Sequence, residues 1–345
     1  MLEENDVSAK RPVGQQDLSA ERSLGHKTCR SNDHMHLQGC TVFLMINLGI
    51  VRMNQVPEKP AIGILAVDIG SKEASFGNST ITASYVYMLL SAGARVVPLP
   101  LSLNITAHKK LFGQINGLFV PGGFVTPLKS KVLRVFYNYV RWAVAANQQG
   151  DYFPIWGTCL GFELLLLSFS NRTVLEKCNV QNELLILTPT KYFMFNRMFR
   201  GASSHLLEAM HREPLAPNFH QWCATEETFR LNGLDNVFST LTLSHSDKKK
   251  FTFISTIEHK RFPFYGIAWH PEKNVYEQHS SLNLSLSNAA IEMAHYLARF
   301  FVKEAQRSKH SFSSPSQYYQ NSIFNYCPQF TGQLGYKYEQ AYFFQ

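Results

Sequence analysis

Short apolar runs alternate with amphipathic stretches through the first half of the chain after residue 58. The runs that predict buried strands are residues 61–67, 94–97, 117–120 and 153–156. Apolar residues recur at helical spacing at 81–90 and 132–146, and residues 160–169 are apolar on every face, as in a buried helix. Strands that alternate with helices indicate βαβ units. The expected fold class is therefore α/β, with a mostly parallel central sheet covered on both faces.

The pattern changes in the second half of the chain. Residues 251–257 alternate with period two and residues 265–269 follow a turn, which predicts an antiparallel hairpin. Residues 288–306 have the pattern of an amphipathic helix. We expect a catalytic domain over residues 58–310, followed by a Ser-, Tyr- and Gln-rich tail, residues 311–345, that is partly packed on the domain.

The first 57 residues differ from the rest. Residues 1–34 are polar and lack periodicity, and an apolar run follows at 40–51. The run is too short to span a bilayer, which takes about 20 residues, so no stable membrane anchor is expected. Its length is typical of a signal peptide, and it would be correctly placed if translation began at Met35. We interpret residues 1–57 as a disordered or misplaced signal region, which favours a lysosomal, vacuolar or secreted protein.

Composition and charge narrow the class of partner. Apolar residues make up 45% of the 345 residues, which is ordinary for a globular protein, and the net charge is +8. The only tight basic cluster, residues 248–250, stands beside Asp247 and near no nucleic-acid-binding motif. The charge is compatible with an acidic small molecule as partner, and we expect no nucleic acid. The glycosylation sequons, about as many as chance gives, stand at Asn78, Asn104, Asn171 and Asn283.

The cysteines are few and irregularly spaced. They are Cys29, Cys40, Cys159, Cys178, Cys223 and Cys327. No C-x-x-C occurs, so we expect neither a zinc site nor a redox pair, and no metal or other cofactor. Six cysteines in 345 residues are also too sparse for a disulfide scaffold. This count leaves one catalytic thiol and five incidental cysteines.

The strongest local signal is at residues 154–162, where a predicted strand runs into G-T-C-L-G and then into a helix. This is the thiol version of a nucleophile elbow, a sharp turn on which bulky neighbours would clash. The turn places the sulfur of Cys159 at a helix N-terminus, where the helix dipole favours the thiolate. The N–H of Leu160 would face a developing oxyanion. The alternative is a buried structural cysteine.

Two further segments offer partners for the thiol. His270 ends a predicted strand, and Glu272 stands where its carboxylate could hold the imidazole in the required tautomer. The alternative is a turn histidine beside a surface glutamate. Gly122 and Gly123 follow another strand, where the backbone can approach a ligand and the Gly123 N–H could complete an oxyanion hole. An ordinary turn is the alternative there.

Taken in order, P-G-G, G-T-C-L-G-F-E and W-H-P-E resemble the class I glutamine amidotransferase-like superfamily. One branch is closer, γ-glutamyl hydrolase, the folate-polyglutamate peptidase. The segments similar to it are residues 83–86, 91–98, 151–163, 218–222 and 265–273. Each motif alone is only suggestive, but the set covers roughly residues 58–335 and is specific.

The resemblance implies a flavodoxin-like three-layer α/β/α sandwich. It implies a cysteine-type omega peptidase that hydrolyses the γ-glutamyl bonds of folylpoly-γ-glutamates and antifolate polyglutamates through a thioester. It also implies no metal, a lysosomal, vacuolar or secreted location, and a homodimer. The roles it carries over are catalysis for Cys159, His270 and Glu272, oxyanion binding for Gly123 and Leu160, and substrate binding for Gly122, Glu163 and His220.

Two departures from the family pattern keep other readings open. Members commonly carry Gln where this chain has Ala268, and a Tyr pair where it has Ser79 and Thr80. Both positions are expected in the active-site wall. The absence of the amide and of the two aromatic side chains would therefore weaken glutamate recognition. The alternatives are a catalytically weakened or inactive paralogue that retains the fold, and a glutaminase-type amidotransferase. The second needs a synthase domain or partner, and no second domain is visible in the sequence.

Overall fold

The computed structural model describes residues 59–70, 73–170 and 174–345. The helices are α1 (Ala83–Ser91), α2 (Ile105–Phe112), α3 (Lys131–Gln148), α4 (Leu160–Phe169), α5 (Ser204–Arg212), α6 (Glu226–Leu231), α7 (Lys273–Tyr276), α8 (Asn288–Ala305) and α9 (Pro315–Gln320). The strands are β1 (Ala61–Leu65), β2 (Val67–Asp68), β3 (Ser79–Thr82), β4 (Arg95–Leu99), β5 (Gly117–Val120), β6 (Ile155–Thr158), β7 (Glu176–Leu185), β8 (Thr188–Pro189), β9 (Ala216–Cys223), β10 (Phe238–Ser246), β11 (Phe251–His259), β12 (Phe264–Ile267), β13 (Gln329–Phe330) and β14 (Gln340–Phe344).

An eight-stranded sheet in the order β4-β1-β5-β6-β12-β11-β10-β8 forms the centre. From β4 to β12 each neighbouring pair is parallel, and from β12 to β8 each pair is antiparallel. The antiparallel pairing of β11 with β12 confirms the predicted late hairpin. Because β6 and β12 are parallel neighbours, their carboxyl ends meet at the same edge of the sheet, and residues just beyond them lie close together.

Helices cover both faces of this sheet, which confirms the three-layer α/β/α sandwich. Side chains of β1 alternate between two cores: Ile62 and Ile64 pack into one, and Leu65 packs into the other. The first core also contains buried residues of α1, α5 and α8, and the second contains those of α2, α3 and α4. Helix α4 is buried almost all round, as its apolar sequence predicted.

Local side chains fix where several helices begin. The side-chain oxygens of Asn104, Ser130 and Ser287, the N-caps of α2, α3 and α8, each accept a hydrogen bond from a first-turn N–H. Such caps satisfy backbone donors that have no partner within the helix, and each stabilises the helix by about 1 kcal/mol. Helix α4 differs, because its N-cap is Cys159 and makes no side-chain cap bond. The thiol of Cys159 is therefore not engaged in capping α4.

The expected helix over residues 81–90 is wrong at its start. Residues Ser79–Thr82 form strand β3, which pairs with β2 and with β14 near the C-terminus, and α1 begins at Ala83. The register pairs Ser79 with Phe344, 265 residues away. Local periodicity cannot show a pairing over that separation, so the sequence pattern assigned Ile81 and Thr82 to the helix. The tail thus contributes β14 to a second sheet.

A separate two-stranded sheet pairs β7 with β9 in antiparallel register. The register shifts between Lys177 and Val180 and again between Gln181 and Glu183. Asn179 and Asn182, which lie at these two shifts, adopt positive φ. Asparagine tolerates this region better than most residues, because its side chain can bond locally. The strand pair is therefore irregular on the side of β7.

Two further expectations concern the N-terminal signal region and a membrane anchor. The signal region expected over residues 1–57 lies outside the described residues. Within the described ranges, none of the helices combines the length and the apolar character needed to cross a bilayer.

The turn between β6 and α4 generates a stability prediction. A Cβ added to Gly161 would meet the carbonyl oxygen of Val120 closer than real Cβ atoms approach, so Gly161→Ala must displace backbone. We expect a loss of about 1–3 kcal/mol in the free energy of unfolding, measured by urea denaturation. Gly113→Ala is the matched control, because its Cβ would meet its nearest heavy atom at 3.7 Å. Equal unfolding midpoints for the two variants would contradict the strained turn.

Candidate active site

Cys159 occupies the sharp turn that the sequence predicted. Its backbone has φ 51° and ψ −105°, a conformation that non-glycine residues rarely adopt. Its N–H donates to the carbonyl of Ile267 at 2.8 Å, and its carbonyl accepts from the N–H of Glu163 at 3.0 Å. Gly161 N–H donates to the carbonyl of Pro121 at 3.2 Å. Backbone hydrogen bonds therefore tie the turn to the end of β12 and to the segment that follows β5.

Gly122 lies between the two residues expected to react. A Cβ placed on it would be 2.8 Å from Cε1 of His270 and 3.4 Å from Cβ of Cys159. It would also be 2.7 Å from the hydroxyl of Tyr85. The structure thus brings Cys159, His270 and Gly122 together, and a side chain at Gly122 would occupy the space beside the imidazole.

The imidazole of His270 is held on one side and free on the other. Its Nδ1 lies 2.7 Å from Oε1 of Glu272, and its backbone N–H donates to the carbonyl of Pro217 at 2.9 Å. Among the described residues, its buried Nε2 has no hydrogen-bond partner. A carboxylate at Nδ1 favours the tautomer with the proton on Nδ1, which leaves a lone pair on Nε2. That nitrogen is available to accept a proton.

Tyr85 is a site residue to which the sequence gave no role, although A-S-Y-V was among the family-like segments. Its hydroxyl lies 3.2 Å from Nδ1 of His270 and accepts a hydrogen bond from the N–H of Gly122 at 3.0 Å. Burial, with the nearby Glu272 charge, raises the pKa of Tyr85 well above its ordinary value. The phenol therefore stays protonated and links the imidazole to the glycine turn.

Phe219 and Lys273 complete the surroundings of the imidazole. The Phe219 ring meets His270 edge-to-face with centroids 5.7 Å apart, and the Lys273 ammonium lies 5.4 Å from the Phe219 centroid. Both residues stood within segments that resembled the family, but spacing alone gave no reason to select them. The imidazole therefore has an aromatic contact in addition to its polar contacts.

Burial dominates the electrostatics of the reacting pair. It raises the pKa of the Cys159 thiol well above its ordinary value, and Glu163 adds to the rise, whereas the N–H of Leu160 opposes it. It lowers the pKa of His270 below 6.5, opposed by Glu272. Burial therefore opposes the thiolate that the helix N-terminus was expected to favour, and it favours the thiol and the neutral imidazole. The helix N-terminus is present, but burial outweighs it.

A small cavity of about 50 Å³ opens beside the thiol. Its lining includes the expected residues Gly123, Cys159, Glu163 and His220. The other lining residues are Phe124, Val125, Thr126, Gln181, Phe219, Gln221 and Trp222. Burial raises the pKa of Glu163, and burial together with His270 lowers the pKa of His220 to about 3. The sequence missed most of this wall, because strands β7 and β9 reach it only through tertiary pairing.

The class-I glutamine amidotransferase family model matches residues 76–287. The chain is 38% identical to the γ-glutamyl hydrolases of Bos taurus and Homo sapiens, which cover 84% and 83% of it and match it over 90% of their own lengths. It is 33% identical to γ-glutamyl hydrolase B of Dictyostelium discoideum, over 84% of each chain. The chain belongs to the γ-glutamyl hydrolase family. The family and the fold that the motifs implied are both confirmed.

The positions that depart from the family pattern lie in different surroundings. Ala268 is buried in the core on the α3–α4 side of the sheet. Thr80 lines a second cavity together with Gly122, Gly123 and Tyr338 of the C-terminal tail. Ser79 is fully buried in β3, with its Oγ 3.4 Å from the N–H of Leu101. Of the two β3 residues, Thr80 is thus the one that faces a cavity beside the glycine turn.

The expectation that five of the cysteines are incidental is wrong. Cys178 and Cys223 form a disulfide bond between β7 and β9, across a sequence separation of 45 residues. Register, not local spacing, brings them together, since Glu176 pairs with Cys223 and Lys177 with Trp222. Within the described part of the chain, the free cysteines are the buried Cys159 and the exposed Cys327.

This cysteine inventory predicts an order of alkylation. Without reductant, iodoacetamide at neutral pH should label Cys327 faster than Cys159, because Cys159 is buried and its thiol pKa is raised. Cys178 and Cys223 should stay unlabelled until a reductant is added. Peptide mass spectrometry over a time course measures all four sites. Labelling of Cys178 in the unreduced, folded chain would show that the disulfide is absent.

Proposed function

We propose that this chain is a cysteine-type omega peptidase that hydrolyses γ-glutamyl bonds in folylpoly-γ-glutamates and antifolate polyglutamates. Family membership supports the reaction class. The observation that carries the mechanism is the buried Nε2 of His270, which has no partner among the described residues, on an imidazole that shares Gly122 as a neighbour with Cys159. Such a pair is suited to transferring a proton from a thiol to an imidazole.

In the proposed mechanism, Nε2 of His270 takes the proton of Cys159 as the sulfur attacks the γ-amide carbonyl. The N–H groups of Leu160 and Gly123 hold the oxyanion of the tetrahedral intermediate. His270 then gives its proton to the leaving amine, and a thioester to Cys159 remains. Water, deprotonated by the same imidazole, hydrolyses the thioester. Glu272 holds the imidazole in position and stabilises its charged form at each step.

The cavity lining indicates how a polyanionic substrate would be bound. In the described residues, no lysine or arginine is part of that lining, so the net charge of +8 acts at longer range. Gln181, Gln221 and Thr126 supply neutral donors for substrate carboxylates. Glu163, whose pKa is raised by burial, donates a hydrogen bond when protonated. Neutral recognition of this kind depends on geometry and loses little strength in salt.

A catalytically weakened paralogue is the second candidate, and one observation favours it. Ala268 is a buried alanine where family members commonly carry an amide, so a polar group is missing two residues before His270. Loss of one hydrogen bond to a substrate reduces binding by about 0.5–1.5 kcal/mol, which is about twofold to tenfold. The proposed chemistry would persist with a higher KM.

The location we propose is lysosomal, vacuolar or extracellular. The Cys178–Cys223 disulfide supports it, because such bonds persist in oxidising compartments. The sequon asparagines Asn78, Asn104 and Asn283 are exposed, as glycosylation requires. Asn171 lies outside the described residues.

The decisive test incubates the full chain with pteroyl-polyglutamate and, separately, with free glutamine. We expect the polyglutamate to shorten and glutamine to remain intact. Cys159→Ala should abolish the shortening, and Cys327→Ala should not change it, because that exposed cysteine lies outside the cavity lining. Ammonia from glutamine would indicate a glutaminase instead. Folded protein inert towards both substrates would overturn the enzymatic proposal.

Tyr85→Phe tests how the imidazole is positioned. Loss of the hydroxyl removes its contacts to His270 and Gly122, so we expect kcat to fall up to about tenfold with little change in KM. In the wild-type chain and in the variant, the acid limb of kcat/KM plotted against pH should lie below pH 6.5. The pKa of His270 is lowered, so its imidazole stays neutral to a lower pH.

The matched control for that variant is Tyr87→Phe. Tyr87 also lies on α1, but its hydroxyl donates to Oε1 of Gln340 in the C-terminal tail. This variant should leave kcat unchanged. Equal losses in the two variants would mean that Tyr85 acts through stability of α1, and an acid limb above pH 6.5 would contradict a neutral, buried His270.

A further inference from the structure

Cys178, Cys223 and His220 form a buried cluster at the wall of the active-site cavity. One ligand atom from each lies within 4.8 Å of the others. All three residues are less than 10% exposed, and His220 also lines the cavity. The proposed hydrolysis uses neither cysteine. The proposed mechanism therefore assigns no role to the two sulfurs of this cluster.

We propose that this cluster is a binding site for a soft divalent metal ion, with Zn²⁺ as the probe, that opens when the Cys178–Cys223 disulfide is reduced. Two thiolates and one imidazole match the ligand preferences of zinc. A water from the cavity beside His220 supplies the fourth ligand.

The present distances already suit such an ion. Nδ1 of His220 lies 3.7 Å from the sulfur of Cys178 and 3.5 Å from that of Cys223. Zinc bonds sulfur at about 2.3 Å and nitrogen at about 2.0 Å, so tetrahedral ligands place S and N about 3.5 Å apart. Once the covalent bond between them is broken, the sulfurs need to separate to about 3.8 Å. The imidazole can stay where it is.

The hydrogen bonds of His220 favour a lone pair that faces the sulfurs. Asn218 donates from Nδ2 to the carbonyl of Ala216 at 2.8 Å, so its Oδ1 is the atom that lies 3.0 Å from Nε2 of His220. Nε2 therefore carries the proton, and Nδ1 carries the lone pair. A metal-bound histidine in proteins typically has this arrangement, with its second nitrogen donating to an acceptor.

The other neighbour of Nδ1 gives an independent reason for a cation. The carbonyl oxygen of Trp222 lies 3.1 Å from Nδ1. A neutral imidazole has one N–H and cannot donate to both Asn218 and Trp222, so one acceptor faces a lone pair. A cation bound at Nδ1 would remove this conflict.

The redox step balances with a dithiol as the reductant. The dithiol gives two electrons and two protons, the S–S bond breaks, and two cysteine thiols form while the dithiol becomes a disulfide. Zn²⁺ then binds both sulfurs and displaces their two protons. With Zn²⁺ bound to two thiolates and one neutral imidazole, the site carries no net charge, which suits its buried position.

The test uses the full chain with Cys29→Ser, Cys40→Ser, Cys159→Ala and Cys327→Ser, so that Cys178 and Cys223 are its only cysteines. Zn²⁺ is titrated against a chromogenic chelator before and after reduction by a phosphine, which supplies the same two electrons without adding a thiol ligand. We expect one additional Zn²⁺ per chain after reduction. With Co²⁺ in place of Zn²⁺, we expect a thiolate-to-metal charge-transfer band.

Two variants and one measurement decide the outcome. Adding Cys223→Ser to the same chain should abolish the extra zinc, and Asn218→Ala should weaken its affinity about 10–100-fold by removing the acceptor at Nε2. Near-UV circular dichroism of each sample checks that the fold survives reduction. No additional zinc in the reduced, folded chain, or the same uptake with Cys223→Ser, would overturn the proposal. Neither binding readout depends on the proposed hydrolysis.

Discussion

The active site depends on one strained backbone position, the positive φ of Cys159 between β6 and α4. Two backbone hydrogen bonds hold the turn, one to Ile267 at the end of β12 and one from Gly161 to Pro121 after β5. Each of those strands continues directly into another part of the site, His270 in one case and Gly122 in the other. The parallel register of β5, β6 and β12 therefore sets the mutual position of Cys159, His270 and the glycine turn.

Burial decides the protonation states within this frame. A helix N-terminus stabilises a charge by about 0.3–1 kcal/mol, which is less than one pKa unit, whereas full burial shifts a pKa by up to about 3–5 units. The second effect is larger, so burial favours the thiol of Cys159 and the neutral imidazole of His270. In the proposed mechanism, the thiolate therefore forms as the proton moves to Nε2.

The sequence predicted the parts of the fold that short-range patterns determine. Helix α4 was predicted with its observed bounds, because most of its ten residues are apolar and the elbow defines the start. The elbow, His270 and Gly122 were found because each follows a strand that is recognisable from its own residues. Strand β3, the disulfide and the contact of Tyr85 with His270 were missed, because each depends on a partner far away in sequence. These features are defined by contacts between residues distant in sequence, which the pattern of a single sequence does not show.

The residues proposed for catalysis and the residues that line the cavity are held in place in different ways. The reacting pair rests on backbone hydrogen bonds and on glycines that admit no side chain, so it tolerates little change. Part of the cavity wall, Gln181 and residues 219–222, lies on the irregular β7–β9 pair, which the disulfide cross-links. Substitutions such as Ala268 and Thr80 leave the reacting pair intact and alter its surroundings. Changes in the cavity wall can therefore arise without changes in the segments that hold Cys159 and His270.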